Sequence, residues 1–144
     1  MSDSIERYVD QPSFSSGKVW SSIKADTQEE RLTVYAAISD SESLEEYVDS
    51  VIMVRDVVVQ PVEVENNKTG EMLEATRIVL VSETGEAYGC TSLGVETSVK
   101  NLFCIVGYPP WHPSIPLVPV KKNGKKGYKF TSLRLATEQD KTNA

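Results

Sequence analysis

The sequence predicts a mainly β fold. It reads as a five-stranded Greek-key barrel with one helix between strands three and four, plus an N-terminal extension with an extra strand and a short helix. Three observations predict it. Residues 51–92 hold three β-rich runs separated by two Thr-Gly-Glu turns, the pattern of an antiparallel meander. Residues 94–106 then change to a helical period. Two further β-rich runs follow, joined by Asn123-Gly124, a dipeptide suited to the positive φ of a hairpin turn.

Residues 1–18 are polar and rich in Ser, Asp and Gly, which reads as a flexible or irregular arm. Residues 19–23 fit either a short strand or a helical turn. Residues 31–38, Arg-Leu-Thr-Val-Tyr-Ala-Ala-Ile, read as a strand. Ser43-Leu44-Glu45-Glu46 has the form of a capping box and predicts a short helix over 44–49.

The first barrel strand is 51–65, rich in valine, with Pro61 demanding an edge or a bulge. After the turn at 66–70, the second strand spans 71–82 and ends in Ile78-Val79-Leu80-Val81. The third spans 86–92, around Tyr88 and Cys90. In the helix, Val95, Val99, Leu102, Phe103 and Val106 share one face. Gly107 and Pro109-Pro110 end it, and residues 108–116 form a proline-rich connector. Residues 117–120 and 127–135 supply the last two strands.

Three strands, a helix and two strands is the order of the OB-fold. Its ligand often lies across strands two and three, and the turns after strands one and four close over it. A single OB-like domain is thus expected over 19–136, with a short polar tail at 137–144. A different five-stranded α+β arrangement, or a sandwich that includes 31–38, also satisfies the pattern.

The charge pattern points at the same place. The chain carries a formal net charge of -6, and residues 1–97 hold 19 acidic against 7 basic groups. Residues 98–135 hold seven basic groups and no acid: Lys100, Lys121, Lys122, Lys125, Lys126, Lys129 and Arg134. A merely solvated surface interleaves both signs. Lysines on a hairpin meet phosphates without fixed geometry, as sequence-independent binding requires. The plainer reading is a hairpin whose lysines keep an edge strand soluble.

Aromatic residues lie among these cations. Tyr88, Tyr108, Trp111 and Trp20 are candidates for stacking on bases. Trp20 reads as packed rather than stacked, and Tyr128 and Phe130, which alternate along the last strand, read as core. Lys18, Arg31 and Arg77 are additional candidate cations; with Trp20, the first two form a weaker cluster.

No motif suggests catalysis. His112 is the only histidine, and Cys90 and Cys104 read as buried thiols in a reducing compartment. Phosphate-loop, nucleophile-elbow and zincin signatures are absent, so neither an enzyme nor a cofactor or metal is expected. No apolar run approaches the roughly 20 residues of a membrane span, and residues 1–6 do not resemble a signal peptide. A cytoplasmic protein is expected.

Several segments carry a family resemblance. They are Gln11-Pro12-Ser13-Phe14, Gly17-Lys18-Val19-Trp20, Ser98-Val99-Lys100-Asn101-Leu102-Phe103, Gly107-Tyr108-Pro109-Pro110-Trp111-His112-Pro113, and the lysine hairpin running into Gly127-Tyr128-Lys129-Phe130. Together they resemble the small single-stranded DNA-binding proteins of phages and related mobile elements. The resemblance implies an OB-fold that coats single-stranded DNA in replication or recombination, within the host cytoplasm, without catalysis. Replication proteins and further copies of the chain are possible partners, and RNA stays open as a ligand because stacking and phosphate contacts serve it too. One feature departs from the pattern: residues 136–144 lack an acidic, aromatic-tipped tail. Two other readings stand beside it. One is an acidic interaction module that mimics DNA through the carboxylates of residues 26–49; the other is a virion structural protein.

Overall fold

The computed structural model describes residues 5–6 and 18–142. The arm expected over 1–18 therefore lies, apart from residues 5, 6 and 18, outside the described residues, as does Gln11-Pro12-Ser13-Phe14.

The fold is mainly β, a curled half-barrel sheet with a few helices. Eight strands join it: β1 (Ile5–Glu6), β2 (Val19–Ser21), β3 (Glu42–Ser43), β4 (Ile52–Glu65), β5 (Met72–Ser82), β6 (Ala87–Cys90), β7 (Ile115–Asn123) and β8 (Lys129–Leu135). Strands β4, β5 and β6 form the expected meander. Its two turns place Gly70 and Gly85 at φ of 74° and 93°, which glycine adopts without strain. Strand β7 pairs with the start of β4 and with β8. Pro61 pairs with Thr76 beyond the point where β2 leaves β4, so no described strand pairs with its other edge.

The long strand β4 divides its side chains between two layers. A bulge between Val54 and Asp56 shifts the alternation, so Val54, Val57 and Val59 all enter the inner core. There they meet Trp20, Leu44, Ile78, Leu80, Phe103 and Trp111. Val58 points outward with Val79, Val81 and Ala87, and is covered by helix α1 (Gln28–Ser39) through Val34.

Helix α1 replaces the strand expected at 31–38. Thr27 accepts from the Glu30 amide at 3.1 Å, and the Glu30 side chain accepts from the Thr27 amide at 3.0 Å. That capping box satisfies two orphan donors and starts a helix despite a β-branched interior. The predicted helix at 44–49 is only a 3-10 turn, Leu44–Tyr47, and Ser43 makes no side-chain cap.

Helix α2 (Leu93–Ile105) lies where the change of period puts it. Val95, Val99 and Phe103 are buried, Leu102 is half-buried, and Val106 is exposed past the last turn. The helix runs along the free edge of β8. Ser92 Oγ donates to the Thr131 carbonyl at 2.7 Å, and Ser98 Oγ accepts from the Leu133 amide at 3.3 Å. Meanwhile the free edge of β6 is occupied by β3, which pairs with it in parallel. Closing the sheet would require β8 to pair with β6, and both edges are already satisfied. The five-stranded barrel expected from the sequence is thus left open along this seam, within a larger sheet.

Gly94 sets how closely α2 approaches β8. A Cβ there would stand 2.1 Å from the Thr131 carbonyl oxygen and 2.8 Å from the Phe130 ring. Backbone cannot give way cheaply, so Gly94→Ala is expected to cost about 1–3 kcal/mol. A lower urea midpoint with an unchanged slope is the expected readout; an unchanged midpoint would mean the contact is loose.

At the C-terminus, the polar tail expected at 137–144 contains a short helix, α3 (Glu138–Thr142), in its described part. Arg134 pairs with Asp140 at 2.6 Å, and Thr137 donates to the same carboxylate; these contacts hold the Asp140 carboxyl well below the usual carboxylate range.

Candidate nucleic-acid interface

The open seam is a groove. About 1450 Å³ in volume, it lies between the β3–β6 edge, α2 and β8, and the lysine-bearing end of β7–β8 reaches into it. The hairpin turn follows from glycine placement, though not at Asn123-Gly124. Asn123 stays in the ladder opposite Lys129, and Gly124 has φ of -93°. The positive φ falls on Lys126, at 60°, and Gly127, at 74°. The turn is closed by the Tyr128 amide donating to the Lys125 carbonyl at 3.2 Å.

This geometry separates the cations. Lys122, Lys125, Lys126 and Lys129 are exposed, and none pairs with a carboxylate among the described residues. Lys121 is committed elsewhere: its ammonium pairs with Glu45 and donates to Thr131 Oγ1 at 2.8 Å. Thr131 Oγ1 donates in turn to Glu45 at 2.5 Å. Burial pushes the Glu45 carboxyl up, but hydrogen bonds from Lys121 and Thr131 and the charge of Lys121 together hold it below its ordinary value. Lys100 pairs with Glu96 one turn earlier on α2, and Arg134 with Asp140. The acid-free stretch therefore offers four unpaired lysines at one turn rather than a uniform basic surface.

Burial also redistributes the aromatic residues. Trp20 is 0% exposed, Trp111 5% and Tyr88 7%. All three belong to the inner core, so the stacking expected of Tyr88 and Trp111 does not fit their position, while the packed reading of Trp20 does. Trp111 is fixed by Nε1 donating to the Gly107 carbonyl at 3.0 Å and by its amide donating to Arg55. Tyr88 packs edge-on against Tyr47, and burial, then the Glu86 carboxylate, raises its phenol above the ordinary value. Tyr108 is half-exposed at 40%, its ring edge-on to Phe103 at 5.3 Å.

Two aromatics read as core instead face the groove. Tyr128 is 70% exposed, just before β8 begins. Phe130 is half-buried against Gly124 and Gly94, whose missing side chains make room for its ring. The available signal was position: Tyr128 follows Gly127, and a residue next to a turn glycine leaves the ladder before it can pack. Exposed Leu93, Ile105, Val106 and Leu135 complete an apolar wall. Lys18 is exposed ahead of β2 and remote in sequence from this wall. Arg31 donates to the Ala25 carbonyl at 2.9 Å and supports α1. Arg77 lines the groove opposite the lysine turn.

The OB-type binding face expected across strands two and three corresponds here to β5 and β6. The outer side of the part that holds Val79, Val81 and Ala87 is covered by α1. Cys104 is exposed rather than buried, and Cys90 is half-buried, where burial raises its thiol; both are free. Among the described residues, no group of three or more His, Cys, Asp or Glu could hold a metal, and no helix is long and apolar enough to cross a membrane.

A family described as phage single-stranded DNA-binding protein matches residues 14–136, which include every element that builds the groove. No curated protein and no solved structure matches the chain.

Proposed function

The chain belongs to the phage single-stranded DNA-binding protein family, and from that premise we propose that it coats single-stranded DNA during phage replication or recombination, without catalysis and in the host cytoplasm. The observation that carries the reading is the lysine turn: four lysines that pair with no carboxylate among the described residues surround an exposed tyrosine, and Lys122, Tyr128 and Lys129 line the groove. Lys122, Lys125, Lys126 and Lys129 contact phosphates, and Tyr128, Phe130 and Tyr108 receive bases. Neutralised Lys121 plays a lesser part. The curled sheet is read as an OB-like barrel within one domain over 19–136. Its seam, held open by β3 and the α2 serines, serves as the binding groove. The acidic-module and virion readings find no support in the family match.

Polarisation of labelled oligo-dT across a salt series tests the proposal. Four phosphate contacts on a single strand predict a slope of about -3 in log K against log salt. No binding, or binding indifferent to salt, defeats the proposal. Oligo-rU in parallel measures any preference for DNA over RNA.

Tyr128→Ala is expected to weaken oligo-dT binding by about 1–3 kcal/mol at each salt concentration, since one stacked base is lost. The salt slope should not change, because no cation is removed. A wild-type affinity would place the bases elsewhere in the groove.

A further inference from the structure

We propose that Arg77 is a phosphate clamp on the groove wall opposite the lysine turn, so that a bound strand crosses the seam and is gripped on both sides. The inference rests on the single-stranded DNA reading and deepens it.

Arg77 sits in β5 opposite Gln60, one strand away from Gly89 in β6. Its guanidinium lies directly over Gly89. A Cβ at Gly89 would be 2.6 Å from Nη2 and 3.0 Å from Cζ, so this seat exists because residue 89 has no side chain. Nη2 donates to Ser41 Oγ at 2.7 Å, and Ser41 Oγ donates on to the Ile38 carbonyl at 2.9 Å. Nε is buried with no acceptor, the one such buried side-chain nitrogen or oxygen among the described residues.

That arrangement is unfavourable without a ligand. A buried donor without a partner forfeits its hydration, and a charged one forfeits more. The other described arginines avoid this: Arg31 Nε donates to the Ala25 carbonyl at 2.9 Å, Arg55 pairs with Asp56 at 2.8 Å, and Arg134 with Asp140 at 2.6 Å. No carboxylate pairs with Arg77 among the described residues. Glu45, the acid that shares the groove, is already engaged by Lys121 and Thr131.

A phosphodiester supplies what is missing. Its two non-bridging oxygens match the fork of Nε and one terminal nitrogen, which lysine cannot reproduce. Because Nε holds no partner, the guanidinium gives up only the Ser41 bond when it swings from Gly89 into the groove. The groove then has a bidentate cation on the β5–β6 wall and point charges on the β7–β8 wall, where Tyr128 and Phe130 also line it. A strand bound by both walls has its path set across the seam rather than along the lysine turn alone.

The test compares wild type, Arg77→Met and Arg77→Lys for binding of labelled oligo-dT over a salt series, with thermal melts as the folding control. Arg77→Met should lower affinity about 5-fold near 0.1 M salt and make the slope less negative by about 0.7, the effect of one lost phosphate contact. Arg77→Lys should restore the slope while leaving affinity about 2- to 3-fold below wild type, because charge returns without the fork. Wild-type affinity and slope in Arg77→Met would overturn the clamp. If Arg77→Met does not fold, Arg77→Lys decides: reduced affinity at an unchanged slope supports the clamp, and wild-type affinity overturns it. A wild-type protein that fails to bind oligo-dT would instead sink the underlying reading of function.

Discussion

Replacing Lys122, Lys125, Lys126 and Lys129 together with alanine is expected to weaken oligo-dT binding roughly 10²–10³-fold near 0.1 M salt. The salt slope should become less negative by about 2.8, leaving about -0.7 from the Arg77 contact. Each single-strand phosphate contact contributes about 0.7 to that slope through counterion release, and the four lysines are the unpaired cations of the turn. The loss should be equal for every sequence tested; selective loss for one would mean the turn reads bases. Stability should hardly move, because all four side chains are exposed and pair with no acid, and surface changes of this kind stay within about 0.5 kcal/mol each. Lys121→Ala is different in kind: it removes the partner of Glu45 and leaves a carboxylate in the groove. A quadruple variant that keeps the wild-type slope would move the phosphate contacts off this turn altogether.

The contrast between Lys121 and its neighbours marks where sequence reading ends. The location of the cations was legible, since the hairpin lies between two recognisable β runs. Their availability was not. Glu45 lies 76 residues before Lys121, on a 3-10 turn whose position depends on β3 pairing with β6. No local pattern encodes that pairing. Likewise, the meander and α2 follow from periodicity, because each has one face buried and one exposed. Helix α1 misled for the opposite reason: Val34, Ala37 and Ile38 face the sheet, but Leu32 and Tyr35 are exposed, so apolar residues off that face blur the stripe. The cue that did hold the answer was polar, Thr27 followed by Glu30. The same type of signal at Ser43 failed, because the chain there is drawn into a strand before a cap can form. Local cues identify elements when tertiary pairing does not compete for the same residues.

The seam shows the same limit at the level of the fold. A five-stranded order suggests a closed barrel, yet closure depends on whether two strand edges are free to meet. Here Ser92 and Ser98 bind the β8 edge, and Glu42-Ser43 pairs with the β6 edge. A helix needs no partner for its own backbone, so it can lie against an edge and satisfy it with hydroxyl groups alone. The resulting gap admits Tyr128 and Phe130 to a surface they would have left in a closed barrel. Both the groove and its aromatic lining are consequences of one unmade strand pair.

Trp20→Ala is expected to cost about 3–5 kcal/mol, lowering the melting midpoint by about 10–15 °C. Trp20 is fully buried, with its ring 5.4 Å from Phe103 and 6.2 Å from Tyr108, centroid to centroid. Phe103 in turn meets Trp111 at 6.1 Å, so the four rings link β2, α2 and the connector into one cluster. Removing the indole leaves a cavity that none of the other rings can fill without breaking its own contacts. For a domain of ordinary stability this is a large share of the total. Trp20→Phe separates packing from stacking. It keeps most of the buried area, so it should retain a folded protein with wild-type affinity and salt slope for oligo-dT. Had Trp20 stacked on a base, the conservative variant would lose affinity while still folding. A melting shift below about 3 °C in Trp20→Ala, or an affinity loss in Trp20→Phe, would return Trp20 from the core to the binding surface.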